Sequence, residues 1–120
     1  MTEDQKDVLL SLLGALKRAQ RKSQSLISNP ELLDQEEGED ALDVICMQFL
    51  AAGESLKRLE RLYPGLLQNR YPHIDWKGAM GFRDVIAHQY FDLDVEQVLV
   101  ICEQSLPGLI LAVQDLLENG

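Results

Sequence analysis

Hydrophobic residues recur every three or four positions along most of this chain, which is the spacing of one face of an α-helix. The pattern predicts four main helices: a first over about residues 3–27, a second over about 40–62, a third from Trp76 to near Tyr90, and a fourth after Asp94. No segment alternates between apolar and polar residues with a period of two, so no β-sheet is expected. We therefore predict an all-α fold, a four-to-five-helix up-and-down bundle, as a single domain over residues 1–120.

Capping and breaking residues mark the ends of the first helix. Thr2 and Gln5 have the spacing of a capping box, in which each side chain binds the backbone N–H of the other residue. Asn29 should end the helix because it precedes Pro30, and a residue before proline disfavours helical backbone angles. The strongly acidic stretch 31–40 is expected to form a solvated connection or a frayed helix start.

Similar signals delimit the later helices. Tyr63-Pro64-Gly65 stops the second helix, and residues 66–75 have no clear period, so we expect an ordered connection or a short helical turn there. Asp75 is the expected N-cap of the third helix. Pro107 lies inside the pattern of the fourth helix, where it removes a backbone hydrogen bond, so we expect a kink or a break near Ser105.

Composition and charge restrict the classes of protein. The 120 residues carry a formal net charge of −9, which opposes binding of a polyanion unless the basic residues gather on one face. The start, MTEDQKD, is acidic and polar, and no apolar run approaches the ~18 residues that span a bilayer, so a cytoplasmic protein without a membrane segment is expected. Cys46 and Cys102 lie in apolar helical patterns and are expected to be reduced core residues.

Most of the basic residues lie on the polar faces of the first two helices. They could form a rim that faces a polyanion, but for the cluster on the first helix a solvated helix face is the simpler interpretation. The residues concerned are Lys17, Arg18, Arg21, Lys22, Lys57, Arg58 and Arg61.

The segment 83–90 combines a cation, a carboxylate, an imidazole and a phenol on one predicted helix. On a regular helix Asp84 and His88 are stacked neighbours, so the aspartate is expected to orient or charge the imidazole. Arg83 and Tyr90 share a face, whereas His88 lies roughly 140° away from Arg83. One copy of the helix therefore does not aim Arg83 and His88 at a common point, but two copies around a twofold axis could line one cleft.

Two imidazoles and two guanidiniums in one cleft suit the cleavage of RNA without a metal. One histidine can take the proton of the ribose 2′-OH, another can protonate the departing 5′ oxygen, and arginine can bind the non-bridging oxygens. The expected product is a 2′,3′-cyclic phosphate end. A plain helical adaptor with a buried structural His88 is the opposing interpretation, and His73, between Pro72 and Ile74, is more simply a turn residue.

The run from Tyr71 to Leu93 resembles the HepT-like branch of the HEPN superfamily, in which a Pro-x-Ile-x-Trp entry precedes a helix with Arg-x4-His-x-Tyr. The similarity extends through Ser105-Leu106-Pro107 and the leucines that follow, and covers about the last 75 residues. Six positions agree with the motif: Pro72, Ile74, Trp76, Arg83, His88 and Tyr90.

The resemblance implies a homodimeric, metal-independent endoribonuclease toxin that needs no cofactor and cleaves RNA, either tRNA or mRNA. It assigns the catalytic roles to Arg83 and His88, with Asp84 as a supporting residue. It also implies an MNT-type nucleotidyltransferase antitoxin that adenylylates Tyr90. This modification would inactivate the toxin, because bulky negative charge beside the cleft would exclude RNA phosphate.

One position departs from the pattern of many relatives, which have asparagine after the arginine where this chain has Asp84. The carboxylate could pair with Arg83 or His88 and weaken phosphate binding. The alternative function is therefore a non-catalytic HEPN-like subunit that binds a nucleotidyltransferase and presents substrate to it.

Overall fold

The computed structural model describes residues 1–120 and contains no β-strand. Two short 3-10 helices, Pro30–Asp34 and Tyr90–Asp92, join longer elements. The prediction of an all-α fold is confirmed. The six α-helices are α1 (Glu3–Ser28), α2 (Glu36–Leu62), α3 (Leu66–Arg70), α4 (Trp76–Gln89), α5 (Val95–Gln104) and α6 (Leu106–Asn119).

The starts of three helices follow from their capping residues. Gln5 N donates to Thr2 Oγ1 at 3.1 Å while Thr2 N donates to Gln5 Oε1 at 2.9 Å, which confirms the predicted capping box. Asp75 caps α4 by accepting from Gly78 N at 2.8 Å, and Asp94 caps α5 in the same way. Each cap satisfies a backbone N–H that the first helical turn leaves without a partner.

The acidic stretch is more ordered than the sequence suggested. It forms the 3-10 helix Pro30–Asp34 and the first turn of α2, which begins at Glu36 rather than near residue 40. Carboxylates are favourable in a first turn because they face the positive end of the helix dipole. Gly38 is buried against Leu32, and a Cβ at this position would lie 1.8 Å from the Leu32 carbonyl oxygen. The close approach permitted by glycine therefore fixes this segment against α2.

The predicted break in the last helical segment is confirmed. α5 and α6 meet at Ser105 with a bend of 43°. Pro107 occupies the first turn of α6, where a missing N–H costs little. No helix taken alone has the length and apolar character to cross a membrane, although α5 and α6 meet that test as a bent pair.

The buried hydrophobic side chains form one cluster to which all six helices contribute. α1 and α2 are antiparallel, and Asp4 near the start of α1 binds both Arg58, at 3.0 Å, and the Tyr63 hydroxyl, at 2.9 Å, at the end of α2. Cys46 and Cys102 lie in this core as predicted, and burial raises the pKa of each thiol to about 11.

The packing of α4 on α2 positions the candidate site. The Phe49 and Phe82 rings meet edge to face with centroids 5.2 Å apart. At the start of α4 the buried Trp76 donates its indole N–H to the Tyr71 carbonyl at 3.0 Å. The first contact holds α4 against α2 and the second holds the start of α4, so together they position its motif residues.

Candidate active site

The stem of Arg83 lies directly on the backbone of α2. A Cβ placed on Gly53 would lie 2.2 Å from Arg83 Cβ and 2.6 Å from Arg83 Cγ, so no larger residue than glycine fits without a shift. The Arg83 side chain is 28% exposed. The arginine of the motif is therefore anchored by its stem and presents its guanidinium at the edge of the α2–α4 contact.

Two carboxylates flank the Arg83 guanidinium. Nε lies 2.7 Å from Glu54 Oε1, and Nη1 lies 3.3 Å from Asp84 Oδ1. The Nε–H is buried and is not aligned with the Glu54 oxygen, so this contact is an ion pair without a well-formed hydrogen bond. Nη2 makes no hydrogen bond within the chain. Donors of Arg83 thus remain free for an anionic ligand.

Asp84 is held by cations and not by His88. Lys57 Nζ lies 2.5 Å from Asp84 Oδ1, and Arg83 binds the same oxygen. The hydrogen bond from Lys57, with a smaller contribution from Arg83, lowers the pKa of Asp84 below its ordinary value. The expected contact between Asp84 and His88 is therefore wrong. The ammonium of Lys57 reaches across from α2 and binds the carboxylate, whereas His88 takes part in no ion pair.

His88 lies exposed in the last turn of α4, and its side chain takes part in no hydrogen bond or ion pair. No hydrogen bond joins it to Arg83. This agrees with the separation expected on a regular helix, where one copy of the chain does not bring the two side chains to a common point.

Tyr90 lies just beyond α4 and contacts α2. The backbone leaves the helical register at Gln89, with φ −130° and ψ 28°, and Tyr90 begins a 3-10 turn. Its hydroxyl donates to Asp43, and its ring meets Phe91 edge to face with centroids 5.5 Å apart. Tyr90 and Arg83, which were predicted to share a helix face, have different partners: Tyr90 binds Asp43, and Arg83 binds Glu54 and Asp84.

Three large apolar side chains that neighbour these polar groups along the chain are exposed, and we call them the apolar patch: Met47, Val85 and Phe91. Phe91 is 96% exposed. Val85 lies one turn before His88 on α4, and Met47 lies one turn after Asp43 on α2. An exposed cluster of large apolar side chains beside polar groups is typical of a contact surface.

A cavity of about 360 Å³ lies elsewhere, between α2, the start of α4 and the α5–α6 junction. Phe49, Phe82 and the exposed His73 are among the residues that line it. None of Arg83, His88 and Tyr90 lines it. The motif residues therefore occupy an open surface and not an enclosed pocket. No group of three or more His, Cys, Asp or Glu side chains could hold a metal ion.

Three residues of α2 that contact the motif were missed as site residues by the sequence analysis: Asp43, Gly53 and Glu54. Acidic residues on the polar face of a helix carry no signal that distinguishes a solvated side chain from a partner of a distant arginine. The one available signal was Gly53, since a glycine within the apolar stripe of a helix indicates close approach of another element.

Comparison with known proteins places the chain in a family. The model of the family described as Ribonuclease HepT-like matches residues 15–116. Two proteins of Methanocaldococcus jannaschii are similar to shorter parts of the chain. Putative RNase MJ1216 is 33% identical over 66 residues, which are 55% of this chain and 50% of that protein. Putative RNase MJ0127 is 30% identical over 67 residues, which are 56% of this chain and 52% of that protein.

The matched region spans about half the length of these curated relatives. No solved structure gives a significant match. The family match covers most of the chain, including α4 and the Arg-x4-His-x-Tyr motif with the α2 residues that contact it. The chain therefore belongs to the HepT-like ribonuclease family of the HEPN superfamily.

Proposed function

We propose that this protein is a metal-independent endoribonuclease, the toxin of a HEPN/MNT toxin–antitoxin pair, which cleaves tRNA or mRNA as a homodimer. Two side chains of α4 support this function. Arg83 is anchored on Gly53 and keeps free donors, and His88 is exposed without a partner. A fixed cation and an unengaged imidazole are the two groups that acid–base cleavage of a phosphodiester requires.

The reaction uses one histidine from each copy of the chain. His88 of one copy accepts the proton of the ribose 2′-OH, and the 2′ oxygen attacks the adjacent phosphorus. The bond from phosphorus to the 5′ oxygen breaks, and His88 of the other copy donates a proton to that oxygen. Arg83 binds the non-bridging oxygens, on which negative charge grows. The products are a 2′,3′-cyclic phosphate end and a 5′-hydroxyl end.

Incubation of the purified protein with total RNA in the presence of EDTA tests this function. We expect new fragments with 2′,3′-cyclic phosphate ends, mapped by sequencing of the cleaved termini. Intact RNA at every protein concentration, together with nucleotidyl transfer by a partner enzyme that depends on this chain, would support the alternative of a non-catalytic substrate-binding subunit.

The homodimer is expected to form through the apolar patch. Phe91→Glu introduces a charge at its most exposed residue, so we expect this variant to be monomeric and to lose RNA cleavage at least tenfold. Sedimentation velocity measures the mass at the concentrations used for cleavage. Leu111→Glu is the matched control, since Leu111 is an exposed leucine of α6 outside the patch, and this variant should stay dimeric. A wild-type protein that is active as a monomer would contradict the shared cleft.

Tyr90 is the proposed acceptor of the adenylyl group. Tyr90 is 40% exposed, and its hydroxyl donates to Asp43. This carboxylate can take the phenolic proton as the oxygen attacks the α-phosphorus of ATP and pyrophosphate leaves. With an MNT-type nucleotidyltransferase and ATP, we expect wild type to gain AMP and to lose RNA cleavage. Tyr90→Phe should remain unmodified by intact mass, whereas Tyr63→Phe should be modified like wild type. Modification of Tyr90→Phe to the same extent would exclude this acceptor.

A further inference from the structure

Lys57 and Arg58 are adjacent basic residues of α2, but they have different partners. Arg58 Nη2 lies 3.0 Å from Asp4 Oδ1 near the start of α1. Lys57 Nζ lies 2.5 Å from Asp84 Oδ1 on α4. Consecutive residues of a helix point about 100° apart. The fold thus separates two residues that form one basic cluster in the sequence, and of the two only Lys57 reaches the candidate site.

One oxygen of Asp84 lies between two cations. Asp84 Oδ1 is 2.5 Å from Lys57 Nζ and 3.3 Å from Arg83 Nη1, so the ammonium and the guanidinium converge on a single anionic atom. A lysine and an arginine can bind a non-bridging phosphate oxygen in the same way, with one donor from each side chain. Asp84 belongs to the protein, but its carboxylate marks a position where these two cations hold an oxyanion.

The charge balance around Arg83 depends on Lys57. Without Lys57, one guanidinium faces the two carboxylates of Glu54 and Asp84, and the excess of negative charge would repel a phosphodiester. With Lys57 the charges balance. The side chains of Glu54 and Asp84 are 59% and 46% exposed, so either carboxylate can turn toward water. When Asp84 does so, two cations are left facing the vacated position.

We infer that Lys57 is a second phosphate-binding residue of the candidate site, and that a substrate phosphate oxygen takes the position of Asp84 Oδ1 between Lys57 and Arg83. This inference rests on the proposed ribonuclease function and extends it. In this assignment Lys57 binds the substrate, whereas its neighbour Arg58 stabilises the contact between α1 and α2.

Equilibrium binding of a 2′-O-methyl oligoribonucleotide, which lacks the attacking hydroxyl, separates phosphate binding from cleavage. We compare wild type with Lys57→Met, Lys57→Arg and Arg58→Met by fluorescence anisotropy over a range of KCl concentrations. Lys57→Met should weaken binding about tenfold, and should reduce the slope of log affinity against log salt by about 0.7, as expected for one lost contact to single-stranded RNA. Lys57→Arg should retain most of the affinity. Arg58→Met removes the same charge from the same helix and should change affinity less than about twofold.

The possible outcomes distinguish this inference from the proposed function. Equal losses for Lys57→Met and Arg58→Met would overturn it, because they would indicate a general effect of charge and not a defined contact. Wild-type binding and cleavage with an unaffected Lys57→Met would also overturn it while leaving the ribonuclease function intact. If wild type neither binds nor cleaves RNA, the proposed function fails, and the role of Lys57 fails with it. Circular dichroism and thermal unfolding establish that each variant is folded.

Discussion

His88→Ala is expected to lower the rate of RNA cleavage by at least about a hundredfold, the smaller end of the range for loss of a general acid–base group. In the proposed reaction this change removes both the base and the acid of the cleft, because each copy of the chain supplies one of them. The side chain is exposed and has no partner, so the substitution should leave folding unchanged. Single-turnover cleavage of one RNA, with thermal unfolding of both proteins, measures the two effects.

His73→Ala is the matched control, because His73 is the only other histidine of the chain and is also exposed. It lies in the connection between α3 and α4, whereas Arg83 lies in the middle of α4. We expect cleavage within about twofold of wild type for this variant. Equal losses for the two histidine variants, or full activity of His88→Ala, would show that the imidazole of His88 does not take part in the reaction.

Gly53→Ala is expected to destabilise the protein and to impair cleavage together. The new Cβ would lie 2.2 Å from Arg83 Cβ, so α2 and α4 must separate or Arg83 must move. Overpacking of this kind costs about 1–3 kcal/mol, which exceeds the ~0.5–1 kcal/mol that alanine gains over glycine within a helix. Arg83 would lose its contact with Gly53 of α2. The rate of cleavage should therefore fall by a larger factor than the fraction of folded protein. Urea unfolding gives the stability, and cleavage assays on the folded protein give the rate.

Gly14→Ala provides the control for this substitution. Gly14 also lies within a helix, but apart from the adjacent backbone of α1 no atom lies within 4 Å of the position that its Cβ would occupy. The helix propensity of alanine then acts alone, and we expect stabilisation by ~0.5–1 kcal/mol with unchanged cleavage. If Gly53→Ala proved as stable as Gly14→Ala, α2 and α4 would not pack as closely as the Arg83–Gly53 contact requires.

The local features of the fold were predictable because neighbouring residues determine them. The capping box of Thr2 and Gln5, the Asp75 cap and the break near Pro107 each depend on side chains within a few positions of the backbone they control. The start of α2 was misplaced for a tertiary reason. Gly38 packs against the backbone of Leu32, and this contact orders an acidic segment whose composition indicates solvent exposure.

The motif residues of the candidate site were predictable from the sequence, but the contacts that they make with α2 were not. The spacing of Arg83, His88 and Tyr90 identified the family, and the family match extends over residues 15–116. The ordinary helical register predicted neither the contact of Asp84 with Lys57 nor that of Tyr90 with Asp43. Both partners come from α2, a helix distant in sequence, and α4 ends one residue before Tyr90.

The sequence by itself therefore determined the main helices, the caps of α1, α4 and α5, the break near Pro107 and the motif that shows the family, because hydrophobic periodicity and capping act over short distances along the chain. Only the tertiary structure decided which charges meet. Gly53 lets α4 approach α2 closely, and that approach pairs Arg83 with Glu54 and Lys57 with Asp84. A polar side chain on a helix surface has many possible partners, and only the packing of apolar faces determines which of them lies within reach.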